Sequence, residues 1–405
     1  MYKLASRVFQ AVLRCSSPIL NWREPELIRG EGKLSELPKR LSRSFKRILI
    51  ITDQGILESG TLEDFKEEIE KTSLVYDFYS KVHSNPTVEM CEEIALAYNK
   101  VKADAMVAIG GGSVIDAAKG AGVLLAKPNK KLDVSSGLLR VLKDIPYLVA
   151  VPTTAGTGSE GTLAAVITDK ETQTKYALMD THLIPDVAVL DSDVTKTLPP
   201  HLIAGPGMDA LTHAVEAYIG QSLTEETKAY ATSAIKLIWE YLPKNYQNPN
   251  DVTTRAMMLQ ASYEAGRAFH RSYVGNIHAM SHALSAFYDL PHGQTNATIL
   301  PIVLRIYGEA VHNDLAKIAD ILGLSDPEDD ASDKAMRFIV AVEQMNEAME
   351  IPQYIQEIKE EDLQDLATHA ENEANPLYPV PVIFNEQDFI KAYKMVRGDH
   401  NESTV

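Results

Sequence analysis

Between residues 47 and 191 the chain repeats one pattern, and that pattern leaves few folds open. Short runs that are apolar nearly throughout alternate with segments of helical apolar spacing. RILIITD (47–53) precedes LEDFKEEIEKT (62–72), LVYDFYS (74–80) precedes TVEMCEEIALAYNKV (87–101), and AMVAIG (105–110) runs into GGGSVIDAAKG. IPYLVAVPTT (145–154), VITD (166–169), KYALMD (175–180) and VAVLD (187–191) add further β-like pieces. A strand apolar on both sides has to be covered on both sides. Strands separated by helices of this length connect by crossovers and pair in parallel. The expected fold is an α/β domain built on a parallel sheet, with helices on both faces.

The pattern stops near Leu198-Pro199-Pro200. Beyond it, MDALTHAVEAYIG (208–220), EETKAYATSAIKLIWEYLPKNY (225–246) and TTRAMMLQASYEAGRAF (253–269) all carry apolar residues at i, i+3 and i+4. A chain of 405 residues exceeds one ordinary core, so two domains are expected. They are an α/β domain at 1–198 and an all-helical domain at 199–405, with no internal repeat.

Composition narrows the partners. The formal charge is -17, from 39 basic and 56 acidic side chains, which repels phosphate backbones and argues against nucleic acid. No apolar run approaches the ~18 residues of a membrane helix. Two cysteines, Cys15 and Cys91, make no disulfide framework and suit a reducing, cytoplasmic setting. The extension 1–23 is basic and acid-free, and Leu4, Val8 and Val12 share a helical face. Such a start can be a mitochondrial presequence. The preferred expectation is a helix that docks on the body of the protein.

Two loops at strand ends point to a nucleotide site in the first domain. In AMVAIGGGSVIDAAKG, Gly110, Gly111 and Gly112 let the backbone approach a ligand, Ser113 is placed to cap the following helix, and a helix start offers N–H groups to an anion. This is neither G-x-G-x-x-G, since Ile115 stands at the last glycine, nor a P-loop. Asp53, closing RILIITD, can accept from a ribose 2′-hydroxyl and would repel a 2′-phosphate, which favours NAD over NADP. PTTAGTGSEGT (152–162) offers Thr153, Thr154, Thr157 and Ser159 for phosphate or nicotinamide.

A metal is indicated in the second half. HAMSHALSAFYDLPHG (278–293) holds three of the chain's eleven histidines. His278 and His282 stand at i, i+4 on a helix, but Ala279 occupies the position where H-E-x-x-H proteases carry their glutamate, so that chemistry is excluded. Pro291 is expected to end the helix and Gly293 to permit a turn that swings His292 back. GMDALTHAVEAY supplies a second i, i+4 pair, Asp209 and His213. Three nitrogens and one oxygen suit divalent iron or zinc. His282 is the histidine assigned to the chemistry beside the metal rather than to ligation.

Together these segments resemble the iron-dependent (group III) alcohol dehydrogenases. The resemblance rests on TD at 52–53, SNPT at 84–87, GGGSVIDAAKG at 110–120, PTTAGTGSE at 152–160, GMDALTHAVEAY at 207–218, HAMSHALSAFYDLPHGQTNA at 278–297 and NPLYPVP at 375–381, in the family's order. It implies an α/β, Rossmann-like dinucleotide-binding domain followed by an all-helical metal-binding domain. The implied reaction is reversible hydride transfer between a primary alcohol and NAD, with Fe(2+), or Zn(2+) on the same donors, polarising the substrate oxygen. Position by position it implies Asp209, His213, His278 and His292 as ligands and Asp53 at the adenosine ribose. Asn85, Gly111, Gly112, Ser113, Thr153, Thr154 and Lys175 would line the dinucleotide, and His282 matches the family's non-ligand active-site histidine. A homodimer is the family's default. The chain departs from the family pattern at Ser281 and Ser285, where alanine and glycine are frequent, at Gly161, and at His270 and Arg271. These departures bear on the substrate, and Arg271 is a candidate for its border. The alternatives are a hydroxyacid–oxoacid transhydrogenase on the same fold and, in a different class, a non-catalytic metal-binding protein.

Overall fold

The computed structural model describes residues 2–16, 22–171 and 174–399. The chain packs into two units: Asn21–Pro200 with Asn248–Gly266, and Met1–Leu20 with His201–Gln247 and Arg267–Val405. The chain passes from one unit to the other inside the helix Val252–Ser272, and the N-terminal extension packs with the helical unit rather than with the sheet.

The sheet unit contains nine strands among its described residues: β1 Glu26–Arg29, β2 Arg47–Asp53, β3 Val75–Val82, β4 Ala105–Gly110, β5 Gly137–Leu138, β6 Tyr147–Pro152, β7 Ala164–Asp169, β8 Thr174–Met179 and β9 Val187–Leu190. Six of them form one parallel sheet in the order β1-β9-β6-β4-β2-β3. A smaller sheet, β5-β8-β7, pairs β7 antiparallel to β8.

The apolar runs are divided between the two faces of the large sheet. Leu49, Ile51, Met106, Ala108, Leu148 and Ala150 join a core with residues of the helices Val88–Val101 and Gly112–Ala126. Ile48, Ile50, Val107, Ile109, Val149 and Val151 join another with Leu34, Leu37 and Phe65, from the helices Lys33–Leu41 and Glu63–Glu70. Alternate residues of one strand thus serve different cores, and truncating one, such as Ile50→Ala, costs about 2–5 kcal/mol. β1 escapes the sequence pattern because ELIR has only two apolar residues and lies at the sheet edge beside β9.

Because β2, β4 and β6 are parallel neighbours, their carboxyl ends lie side by side. That one edge carries Asp53, the glycines from Gly110 and the start of the 152–162 loop.

In the helical unit, His201–Ile219 is buried along almost its whole length. The helix Asn276–Tyr288 ends at Asp289 in a left-handed conformation (φ 52°), and a new helix, His292–Tyr307, begins after Pro291. Pro291 therefore caps the following helix rather than ending the preceding one. Gly293 makes no turn. A Cβ there would lie 2.6 Å from the backbone oxygen of Gly205, so its smallness lets two helices touch.

The extension forms the helix Tyr2–Ser16 and does dock, but through its polar side. Ser6 and Gln10 are buried while Leu4, Val8 and Val12 are exposed. The Arg7 guanidinium donates to the Val380 and Pro381 carbonyls, each at 2.7 Å, and Gln10 donates to that of Tyr378 at 2.7 Å. Among the described residues no helix is long and apolar enough to cross a membrane.

Candidate metal centre and nucleotide loops

Helical spacing places Asp209, His213 and Glu216 along one side of His201–Ile219, and His278 with His282 along one side of Asn276–Tyr288. His292 opens the next helix. Ligand atoms of Asp209, His278 and His292 all lie within 4.8 Å of one another. Asp209 Oδ1 is 3.6 Å from His278 Nε2 and 3.7 Å from His292 Nε2, too long for hydrogen bonds. His278 Nε2 is buried without a hydrogen-bond partner. A buried nitrogen left open beside a carboxylate and a second imidazole is a donor set that a divalent cation satisfies. The residues therefore fit the metal that the sequence pattern implies.

The structure brings three of the four expected ligands together. His213 lies beside them, its ring stacked on His278 (centroids 4.3 Å, 25°) and on Phe269 (4.3 Å, 18°). It still shapes the electrostatics. Burial presses the Asp209 carboxyl upward, but His213, His292 and His278 outweigh burial and hold it far below the usual carboxylate range. Burial presses His278 downward, but Asp209 and Glu216 outweigh it and raise the ring to about 9. The fields that favour a proton on this imidazole also favour a cation beside it.

Outer partners that motif reading passed over hold these side chains. Glu216 Oε2 is 2.6 Å from His278 Nδ1, and the Glu216 carboxylate also accepts the Gly275 and Ile277 N–H groups at 3.0 and 2.9 Å. With Nδ1 donating to Glu216, Nε2 is the nitrogen that would be open to a metal. Ser281 Oγ lies 3.0 Å from His292 Nδ1, and Asn296 Nδ2 donates to Asp209 Oδ1 at 2.6 Å. His282 stacks on His292 (5.0 Å, 18°), and its Nδ1 lies 2.6 Å from Glu373 Oε1. The signal for Glu216 was its position three residues after His213, but a helical glutamate reads by default as solvated. Arg271 pairs with Glu226 at 2.6 Å, and His270 is buried.

In the sheet unit, the two strand-end loops meet. A Cβ on Gly112 would fall 2.5 Å from Thr157 Cγ2, and one on Gly111 would fall 3.3 Å from Thr154 Oγ1. Gly111 caps the helix Gly112–Ala126 with no side-chain hydrogen bond. Ser113 lies inside the first turn, so the expected serine cap is replaced by a bare helix start.

The hydroxyls of the second loop divide. Thr154 and Thr157 are part-exposed beside the glycines, while Thr153 is buried and its N–H donates to the Gly110 carbonyl at 3.0 Å. Ser159 is buried, donates to Asp116 Oδ1 at 2.5 Å and accepts from Lys119 Nζ at 3.1 Å. In this structure its hydroxyl is engaged inside the loop, by Asp116 and Lys119. Lys119 is fully buried and also donates to the carbonyls of Ser159, Thr162 and Ala164 at 2.7, 2.9 and 2.7 Å. Burial lowers this amine to about 8, against the opposing pull of Asp116 and Glu160.

Asp53 caps the short helix Gln54–Glu58, with Oδ1 accepting the Ile56 N–H at 2.8 Å. Asn85 takes φ 56°, and its Oδ1 accepts from Lys175 Nζ at 2.7 Å, so two positions implied by resemblance touch each other.

Two family models cover the chain: iron-containing alcohol dehydrogenase at residues 25–192, and the C-terminal part of the Fe-containing alcohol dehydrogenase family at 203–396. The chain is 36% identical over 349 residues to the NAD-dependent methanol dehydrogenase of Bacillus methanolicus, covering 85% of this chain and 91% of that protein. It is 33% identical over 343 residues to the lactaldehyde reductase of Escherichia coli strain K12, covering 84% and 88%. The alcohol dehydrogenase of Oenococcus oeni superposes with a TM-score of 0.89 at 31% identity, covering 93% of this chain and 99% of that one. With a donor set that fits a divalent metal and family models matching both halves, this chain belongs to the iron-containing alcohol dehydrogenase family.

Proposed function

We propose that the protein catalyses reversible hydride transfer between a small primary alcohol and NAD, acting equally as an aldehyde reductase. The observation that carries this reading is the unpartnered, buried His278 Nε2 facing Asp209 and His292 in a chain of this family. Asp209, His278 and His292, joined by His213, would hold Fe(2+) or Zn(2+). Bound there, the metal supplies Lewis acidity to the substrate oxygen, while NAD carries the hydride.

The chain's own groups do the rest. Glu216 and Ser281 fix the rings of His278 and His292. His282, whose ring stacks on His292, would take the alcohol proton. The helix start at Gly111 and Gly112, beside Thr154 and Thr157, would receive the pyrophosphate. The Asp53 carboxylate would take the ribose hydroxyls and disfavour a 2′-phosphate. Asn85 and Lys175 line the dinucleotide as a bonded pair. The same reading makes the protein a cytoplasmic homodimer, which light scattering of the purified enzyme and cell fractionation would check.

The test is NADH oxidation by anaerobically purified protein with a short-chain aldehyde, after stripping metal and reloading Fe(2+) or Zn(2+). Activity that returns with either metal supports the reading. Silence with metal bound overturns it in favour of hydride exchange between a hydroxy acid and an oxo acid.

A further inference from the structure

The NPLYPVP segment (375–381) takes no part in the functions assigned above, yet it leads to His282. Glu373, in the last turn of the helix Leu363–Ala374, reaches the ring from 91 residues away in sequence. Its Oε1 lies 2.6 Å from His282 Nδ1 and accepts the Tyr378 hydroxyl at 2.8 Å. We infer that Glu373, pinned by Tyr378, is the positioning residue of His282: it fixes the ring and keeps the hydrogen on Nδ1, leaving Nε2 as the acceptor that serves the reaction.

The geometry supports each link. An imidazole has two nitrogens, and the partner of one decides the state of the other. A carboxylate only accepts, so a bond to Nδ1 requires the hydrogen there. At 2.6 Å this is a short, charge-assisted contact. His282 is otherwise in stacking contact with His292 (5.0 Å) and edge contact with His278 (6.0 Å), and neither contact fixes which nitrogen carries hydrogen.

Tyr378 is itself held. It is buried, and burial, reinforced by Glu373, keeps its phenol protonated and therefore a donor. Its N–H donates to the Ala374 carbonyl at 2.8 Å, and its own carbonyl accepts from Gln10 at 2.7 Å and from the Val380 N–H at 2.9 Å. The docked N-terminal helix thus fastens the segment that carries Tyr378, which gives the basic extension a structural purpose.

This inference rests on the role proposed for His282, and the experiment separates the two. The variants are Glu373→Ala, Glu373→Gln, Tyr378→Phe, His282→Ala and the double variant of Glu373→Ala with His282→Ala, all zinc-loaded and assayed with NAD and propan-1-ol. Metal content and melting temperature identify any variant that fails to fold. The expected result is a kcat loss of about 100-fold or more for His282→Ala, in the usual range for a lost acid–base group. Glu373→Ala should lose about tenfold in kcat with KM little changed, and Tyr378→Phe less. Glu373→Ala should add nothing in the His282→Ala background. Long-range 1H–15N spectra of histidine-labelled, zinc-loaded protein should show His282 hydrogenated at Nδ1, and a mixture of tautomers in Glu373→Gln, whose amide can also donate.

If His282→Ala lowers kcat but Glu373→Ala does not, the positioning role is overturned and the proposed function stands. Unchanged kcat in both would remove the role of His282 and this inference with it. An additive loss in the double variant, or an unchanged tautomer in Glu373→Gln, would overturn the inference as well.

Discussion

The candidate metal centre and the candidate nucleotide loops pose opposite problems. The metal centre must present side chains, and each is held by another side chain: Glu216 on His278, Ser281 on His292, Asn296 on Asp209. The loops must present backbone, so small residues open the space and the hydroxyl-rich segment turns partly inward. There Ser159 is bonded to Asp116 and Lys119. A site made of side chains needs an outer layer of acceptors, whereas a site made of N–H groups needs room and a rigid floor.

That contrast can be broken experimentally. The largest effect should come from separating the two sites. His278→Ala should abolish metal retention and reduce turnover by about a thousandfold or more, on the scale of a lost Lewis acid, while leaving the NADH-induced thermal shift intact. Gly112→Val, which would drive a side chain into Thr157, should remove the NADH shift and leave metal content intact, as read by elemental analysis. If either variant lost both ligands while folded, the two sites would not be independent in this way.

The next effect in size concerns the outer layer. Glu216→Gln keeps the shape but loses the charge that favours a cation at His278. Metal affinity, measured by competition with a chelator, should fall about 10–100-fold, with a smaller change in NADH affinity. Equal affinity for metal in the variant would mean that Glu216 only braces the helix start at Gly275 and Ile277.

The smallest expected effect sharpens the other side. Ser159→Ala should leave the NADH dissociation constant within about twofold and lower stability by about 1.5–3 kcal/mol, since its hydroxyl bonds two charged groups, Asp116 and Lys119. A large loss of NADH affinity at unchanged melting temperature would return Ser159 to the list of ligand-binding groups.

How much of this was legible in the sequence follows from the same division. The parallel sheet was readable because two-sided burial writes itself as uninterrupted apolar runs, as in Ile48 to Ile51. β1 was not, because an edge strand needs no such run. The histidines and Asp209 were readable because few other roles call for those residue types at i, i+4. Glu216 and Glu373 were not, since a helical glutamate usually faces water and only the tertiary fold brings each to a ring nitrogen. The direction in which Ser159 and the N-terminal helix turn was equally hidden. Helical spacing shows that Leu4, Val8 and Val12 share a face, but the carbonyls at 376–381 reward Arg7 and Gln10 instead.

The central claim is that Asp209, His278 and His292, with His213, hold one divalent metal. The most direct measurement is anomalous diffraction at the iron edge from crystals grown anaerobically with Fe(2+). The account predicts a single strong peak about 2.0–2.2 Å from an Asp209 oxygen and from the Nε2 atoms of His278 and His292, with His213 turned in as the fourth donor. A peak elsewhere, or none at this trio in protein that has bound iron, would contradict it.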